Sequence, residues 1–156
     1  MEDRGFYQLA SAYHLNYEPI VHHRHISLVN DRFVVIADRV EGMEKHSVQR
    51  YFHLDFTDVQ EAAGGIIAAS DIANLAIFTS EQDRVDILPG RLSDRNDVAR
   101  PSTRVKFHGR YSGSKNFLTV LVPYKGELPD IQIKELMNGV FVARSVIMLQ
   151  LKSVIW

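Results

Sequence analysis

The sequence predicts an all-β protein built as an antiparallel β-sandwich. Short runs rich in Val, Ile, Phe, Tyr and Thr recur at intervals of about ten residues, which is typical of such folds. Gly, Pro, Asn and Asp separate these runs, as expected of turns. No internal repeat, low-complexity tract or linker divides the 156 residues. Residues 1–156 are therefore expected to form one domain.

The first predicted hairpin joins residues 18–29 to residues 32–40. Asn30 and Asp31 lie between these strands, and both residue types tolerate the positive φ of a tight turn. The second strand is apolar on both faces from residue 33 to residue 37, which indicates a strand covered by layers on both sides.

The following strand, residues 47–56, alternates, with Val48, Phe52 and Leu54 on one face and polar residues including His53 on the other. Residues 90–102 are predicted to be a long polar loop. A helix is the alternative for residues 5–14, and periodicity alone does not separate a strand from a buried helix within residues 65–76. Further strands are predicted at residues 65–69, 74–79, 84–88, 104–108, 117–122, 131–135, 140–143 and 146–151.

Composition narrows the classes of partner and site. The formal net charge of −1 gives no indication of a nucleic-acid or acidic-membrane partner. The chain has no cysteine, so any metal must be held by His, Asp or Glu. The first four residues, Met-Glu-Asp-Arg, lack the pattern of a secretory signal peptide. No apolar stretch has the length of a membrane span.

A group of histidines and one acid form the main candidate site. Asp38 ends the most apolar strand, and a carboxylate is costly to bury unless it is paired or bound to a cation. With a two-residue turn His23 lies opposite Asp38, whereas a one-residue change in the loop puts His22 and Arg24 on its face. Five of the seven histidines fall in this part of the chain, namely His22, His23, His25, His46 and His53.

Two interpretations of this group stay open on spacing alone. Asp38, His53 on the next strand and one histidine of the first hairpin make a sensible three-ligand zinc site with water in the fourth position. The alternative is a set of surface imidazoles beside a salt bridge from Asp38 to Arg24 or Arg39.

Other signals are weaker and each has an ordinary explanation. A basic stretch is either a solvated rim or a contact for an anionic sugar, and three tyrosines either stack on sugar rings or pack half-buried. No Ser-His-Asp motif, phosphate loop or dinucleotide fingerprint is present. The basic residues are Arg104, Lys106, Arg110 and Lys115, and the tyrosines are Tyr13, Tyr17 and Tyr51.

Residues 21–42 (VHHRHISLVNDRFVVIADRVEG) resemble a signature of heparinase II/III-like proteins and related alginate lyases. In that signature a His-x-Arg strand leads through a turn to an apolar strand that ends in Asp and is followed by Gly. Residues 52–54 (FHL) and residues 117–123 (FLTVLVP) resemble two later strands of the same family. The resemblance covers roughly residues 8–125.

The resemblance implies a sandwich that normally packs against an α/α toroid. In complete lyases a Tyr and Asn/His group, mostly on the toroid, performs β-elimination on uronic-acid polysaccharides. The sandwich contributes a histidine to the cleft and, in some members, a structural zinc held by His, Asp and His. By position Asp38 and His53 match the two later zinc ligands. His22 is taken as the first ligand because it fits His-x-Arg, with His23 and His25 as alternatives.

The resemblance also sets expectations for activity and partners. A toroid takes several hundred residues that are not in this chain, so the chain is expected to be inactive in isolation. The expected partners are an acidic polysaccharide and the missing toroid. An exposed docking surface near Tyr13 and Tyr17 would also allow homo-oligomers. Members of the family are often periplasmic or secreted. The rival hypothesis is a non-catalytic carbohydrate-binding or protein-interaction module with the same sandwich.

Overall fold

Alternating side chains build almost the whole chain into strands. The computed structural model describes residues 2–3, 7–80, 83–95, 97–129, 131–136, 139–144 and 147–152. The described residues contain no helix, and the predicted all-β class is confirmed. The strands are β1 Glu2–Asp3, β2 Tyr7–Tyr17, β3 Ile20–Val29, β4 Phe33–Glu41, β5 Lys45–Leu54, β6 Asp58–Ala62, β7 Gly65–Ala69, β8 Asn74–Thr79, β9 Arg84–Arg95, β10 Val98–Ser112, β11 Lys115–Tyr124, β12 Ile131–Leu136, β13 Gly139–Arg144 and β14 Ile147–Lys152.

Two antiparallel sheets form the sandwich. The large sheet has eight strands in the order β1-β2-β3-β4-β11-β8-β7-β6, and the small sheet has the order β5-β10-β9. A third sheet, β12-β13-β14, follows along the chain. Every strand pair within these sheets is antiparallel. Among the described residues no helix is long and apolar enough to cross a membrane.

The hydrophobic core between the two sheets lies under β5 and β10. Side chains from these strands pack on β7 and β8 of the large sheet, and each fully buried one stabilises the fold by roughly 1.5–3 kcal/mol. A second buried cluster, including Val29, Val35, Val120 and Val122, lies on the other face of the large sheet. The first cluster consists of Leu54, Ile66, Ala68, Ile77, Val105 and Phe107. The centre of the large sheet is thus buried on both faces, which explains the doubly apolar run in β4.

The small sheet covers only part of the large one. At about 4.8 Å between strands, eight strands span more than twice the width of three. Because β5 and β10 pack over β7 and β8, the same face of β2 and β3 is left without a cover among the described residues. Tyr17 is 66% exposed there and Ile26 is 40% exposed. We call this surface the open face; it consists of Ala10, Ala12, His14, Tyr17, His22, Arg24 and Ile26.

The loop between β3 and β4 sets the register that the site depends on. Asn30 and Asp31 have φ of 49° and 52°, and the Arg32 amide donates to the Val29 carbonyl at 3.0 Å. The strand pairing closes at Val29 and Phe33, so the loop has three residues. Arg24 therefore lies opposite Asp38, and the two-residue turn that placed His23 there is wrong.

Two predicted segments differ from the structure. Residues 7–14 belong to strand β2, so the helix considered near the N-terminus is wrong for these residues; residues 5–6 lie outside the described residues. Residues 90–102 are not a long loop, because β9 runs to Arg95 and β10 begins at Val98. Both segments are mostly exposed on both faces, so they lack the alternation that marks a half-buried strand.

Candidate functional site

A cleft of about 540 Å³ lies where the open face meets the edge strand β5. One wall comes from β2 and β3, with His14 and His22, and the opposite wall comes from β5, with His46 and Tyr51. Asp38 and Phe117 also line it. The cleft exists because β5 ends the small sheet directly beside the uncovered strands of the large one.

Asp38 is the charged centre of the cleft. It is only 2% exposed and carries three hydrogen bonds. Arg24 donates from Nε to Oδ1 at 2.7 Å and from Nη2 to Oδ2 at 3.0 Å. His22 Nε2 donates to Oδ1 at 2.7 Å. The bidentate geometry satisfies both carboxylate oxygens, which is what a buried carboxylate requires.

These contacts decide the charge of the pair. Burial opposes ionisation of the Asp38 carboxyl, but the hydrogen bonds from His22 and Arg24 outweigh it and hold the pKa of Asp38 below its ordinary value. The hydrogen bond to Asp38 likewise raises the pKa of Arg24 against the effect of burial. Asp38 is therefore an anion and Arg24 a cation under all ordinary conditions.

His14 and His22 form a chain of imidazoles that ends on Asp38. His14 Nε2 lies 3.0 Å from His22 Nδ1. A carboxylate can only accept, so His22 carries its proton on Nε2. In the neutral ring Nδ1 of His22 then accepts a hydrogen bond from His14 Nε2. This order leaves Nδ1 of His14 as an acceptor, and that atom is buried without a hydrogen-bond partner in the described structure.

The imidazole chain therefore ends at a His14 nitrogen that no described residue contacts by a hydrogen bond, with His22 and Asp38 aligned behind it. Tyr17 packs edge-on against His14, with ring centroids 5.3 Å apart. Its own ring is 66% exposed and lines the cleft. The site thus combines a hydrogen-bond acceptor with an accessible aromatic ring, a combination that suits a polar, ring-shaped ligand.

The floor of the cleft contains a buried cation, Arg50 on β5. Arg50 Nη1 donates to Thr119 Oγ1 at 2.6 Å, and Nη2 donates to Thr79 Oγ1 at 2.9 Å. Its guanidinium also pairs with Asp83, whose other oxygen accepts from Tyr111. Arg50 is 6% exposed. This network joins the small sheet to β8 and β11 and fixes the position of β5 at the cleft.

The structure brings together two of the three predicted ligand residues. His22 and Asp38 are in contact. His53 lies on β5 in the other sheet, exposed and alternating with the core residues Phe52 and Leu54, so it faces outward.

The predicted salt bridge from Asp38 to Arg24 is present, whereas Arg39 pairs with Glu41 at 2.7 Å. His23 and His25 alternate with His22 and Arg24, so they lie on the opposite face of β3. His23 Nε2 is 3.7 Å from Glu41, and His25 Nδ1 is 2.7 Å from Ser11 Oγ.

Zinc at His22, Asp38 and His53 stays a prediction. Within the part of the chain that the structure describes, no group of three or more His, Asp and Glu side chains is arranged to hold a metal ion. A zinc ion at Asp38 would also compete with Arg24 for both carboxylate oxygens.

The zinc prediction is one ion per chain, with ligand distances of about 2.0–2.2 Å. Elemental analysis of chain purified without chelator measures it. Asp38→Ala is expected to remove the zinc and His53→Ala to reduce it, while His23→Ala serves as the control that leaves it in place. Metal-free protein from a zinc-supplemented preparation would contradict the prediction.

Sequence reasoning missed His14 and Arg50, and it gave His46 only as one of five clustered histidines without a role. His14 was assigned to a segment for which a helix was considered; as a strand paired across the Glu18-Pro19 turn, it falls opposite His22. That turn was the available signal, because proline ends a regular element. His46 and Arg50 gave no local signal, since their position in the cleft depends on the packing of one sheet on another.

The fold and the cleft define the chain as an antiparallel β-sandwich domain with an uncovered, histidine-bearing face. Over residues 2–127 it matches the sequence model of the family described as heparinase II/III-like, C-terminal. The chain belongs to this family. No curated protein sequence matched the chain.

Solved structures share the fold across nearly the whole chain. The crystal structure of heparan sulfate lyase HepC from Pedobacter heparinus aligns with a TM-score of 0.84 and 16% identity over 97% of this chain and 26% of that one. The heparinase III BT4657 gene product aligns with a TM-score of 0.82 and 20% identity over 96% of this chain and 26% of that one. Heparinase III gives 0.81 and 19%, with 96% and 26% covered. The chain thus spans about a quarter of these proteins' length.

Proposed function

We propose that this chain is the sandwich domain of a lyase that cleaves a uronic-acid-containing polysaccharide by β-elimination, and that it forms one wall of the substrate cleft. The observation that carries the proposal is the His14–His22–Asp38 chain, placed on a sheet face that no other described element covers. The family assignment supports the same class of reaction.

We propose that the toroid domain packs on the open face. It presents exposed Tyr17 and Ile26 beside charged and polar groups, and a mixed surface of this kind is typical of contacts between domains. The chain spans about a quarter of the length of the matched lyases, so the rest of each of those proteins is long enough to include such a domain. Without the toroid, the same face is the proposed surface for self-association into homo-oligomers.

This cleft supplies some of the groups that the reaction needs. In β-elimination a base removes the proton on the carbon beside the uronate carboxylate, the electron pair forms a carbon–carbon double bond, and the bond to the glycosidic oxygen breaks. The leaving oxygen takes a proton, and a neutralised carboxylate stabilises the intermediate anion. Here His14 would accept or return a proton, with His22 and Asp38 stabilising its charged form. Tyr17 would hold a sugar ring.

The base, the group that neutralises the carboxylate and the residues that bind the substrate must all contact one sugar at once. One wall of a cleft does not enclose that sugar. We therefore expect the chain alone to bind a heparan sulfate oligosaccharide weakly and to form no unsaturated uronate. Tyr17→Ala is expected to weaken binding about tenfold, equal to about 1.4 kcal/mol. Calorimetry measures the affinity, and ultraviolet absorbance of the unsaturated product measures turnover.

Tyr13→Ala is the matched control. Tyr13 lies on the same strand and is 68% exposed, close to the exposure of Tyr17, but it does not line the cleft. Equal losses from the two variants would contradict binding in the cleft. Formation of unsaturated product by the chain alone would contradict the need for a toroid.

A further inference from the structure

The outer face of the small sheet carries a row of cations that the cleft does not use. Along β10, Val105 and Phe107 are 0% exposed, so the residues between and beyond them point outward. The neighbouring strand β9 places Arg84 beside His108. We call this surface the basic face; it consists of Arg84, Arg104, Lys106, His108 and Arg110, with Tyr51 and His53 from β5.

Few acids offset this charge. Asp86 is the one carboxylate on the outward positions of β9 and β5 beside the row, and it pairs with Lys106 and His108. Arg84, Arg104 and Arg110 have no carboxylate partner among the residues that the structure describes. The basic face therefore holds three arginines whose charge is available to a ligand, on a protein whose formal net charge is −1.

Arg104 is the best-positioned of these arginines. Its guanidinium carbon lies 5.7 Å from the centroid of the Tyr51 ring, which is itself 47% exposed. Stacking on an aromatic ring holds the planar cation in place. Less side-chain conformational entropy is therefore lost when an anion binds to it. Tyr51 also lines the cleft. The basic face is thus continuous with the cleft along one edge strand.

The spacing of the row suits a linear polyanion. Successive outward residues on a strand are about 7 Å apart, so the row from Arg104 to Arg110 extends for about 20 Å in a straight line. An extended polymer with an acidic group on each repeat can contact several of these cations in turn.

We propose that the basic face is a second binding site for an acidic, sulfate- or carboxylate-bearing polysaccharide, outside the cleft. The charge and shape of this surface favour such a ligand, which is of the same class as the substrate in the proposed function. Its role is to hold the polymer chain beyond the segment that enters the cleft.

The test compares the affinity of the full chain for a heparan sulfate oligosaccharide in two charge-matched triple variants. R84Q/R104Q/R110Q is expected to weaken binding about tenfold, because each exposed ion pair contributes modestly. R32Q/R91Q/R95Q removes three exposed arginines elsewhere and is expected to change affinity less than about twofold. The first variant should also show a weaker dependence of affinity on salt, since fewer ion pairs are screened.

A neutral polysaccharide and single-stranded DNA serve as competing ligands. Binding of the neutral polymer with equal affinity, or preference for the DNA, would overturn the proposal. So would equal losses in the two triple variants. Combining R84Q/R104Q/R110Q with Tyr17→Ala separates the two sites: multiplied losses support independent contacts. A loss from Tyr17→Ala alone leaves the cleft hypothesis standing and rejects the basic face.

Discussion

Arg50→Ala should lower the free energy of unfolding by about 3–5 kcal/mol, because it leaves the Asp83 carboxylate buried without its cation. The Asp83 side chain is 2% exposed and that of Arg50 is 5% exposed, so the substitution leaves the carboxylate in a position with little access to solvent. The substitution also removes the hydrogen bonds to Thr79 and Thr119, which lie on two different strands of the large sheet.

Aromatic packing adds to this cost. The guanidinium carbon of Arg50 lies 4.9 Å from the centroid of Phe117 and 5.7 Å from that of Phe107, one ring from each sheet. Contacts of this kind are worth about 2 kcal/mol when the cation is desolvated. Arg50 therefore binds the two sheets together across the floor of the cleft.

Urea unfolding followed by circular dichroism measures the effect. Arg100→Ala is the matched control, since Arg100 also pairs with carboxylates, those of Asp55 and Asp94, but on an exposed surface. It is expected to cost far less, because exposed ion pairs contribute little to stability. The double variant Arg50→Met with Asp83→Leu should recover part of the loss, because it leaves no unpaired charge. Similar costs for Arg50→Ala and Arg100→Ala would contradict the argument.

Asp38→Asn should cost about 2 kcal/mol near neutral pH, the usual contribution of hydrogen bonds to a charged group. It should also alter the response to acid. The folded-state pKa of Asp38 lies below its ordinary value of 3.8. Its ionised form therefore stabilises the fold above that ordinary value, and this contribution is lost as pH falls through the folded pKa. Asparagine cannot ionise, so the variant loses this part of the pH dependence.

Urea unfolding from neutral pH down to about pH 2 tests this prediction. The curves for wild type and Asp38→Asn should converge as the pH falls, because protonated Asp38 resembles asparagine in charge. Glu41→Gln is the control, since Glu41 pairs with Arg39 on the same hairpin but is half-exposed. Its cost is expected to stay below about 1 kcal/mol. A constant gap between wild type and Asp38→Asn across the range would refute the role of the ionised carboxylate.

The central strands could be predicted from sequence because each is buried on at least one face. Strands β7 and β8 have the predicted bounds, and the buried helix that stayed open within residues 65–76 is wrong. Strand β2 could not be predicted, because it is mostly exposed and the spacing of Leu9 and Tyr13 also fits a helix. Pairing with β3 decides its structure, and that pairing is a tertiary effect.

The residues of the candidate site could likewise be predicted only in part. Asp38 was found because a carboxylate at the end of an apolar strand needs a partner, and both His22 and Arg24 were among the candidates. Arg50 could not be found, since Thr119 lies 69 residues away along the chain. His53 was placed beside Asp38 on the assumption that consecutive strands share a sheet, whereas β5 crosses to the small sheet.

The pairing that closes the three-residue loop between β3 and β4 has a consequence for the partners of Asp38. Removing one residue of this loop would leave Val29 opposite Phe33 across a two-residue turn, so Arg24 would stay opposite Asp38. A strand pairing that slipped by one residue, with Val29 opposite Arg32, would instead turn β3 over relative to β4 and place His23 opposite Asp38. The pair of residues that closes the loop, more than the length of the loop, therefore decides whether this acid is paired with an arginine or flanked by histidines.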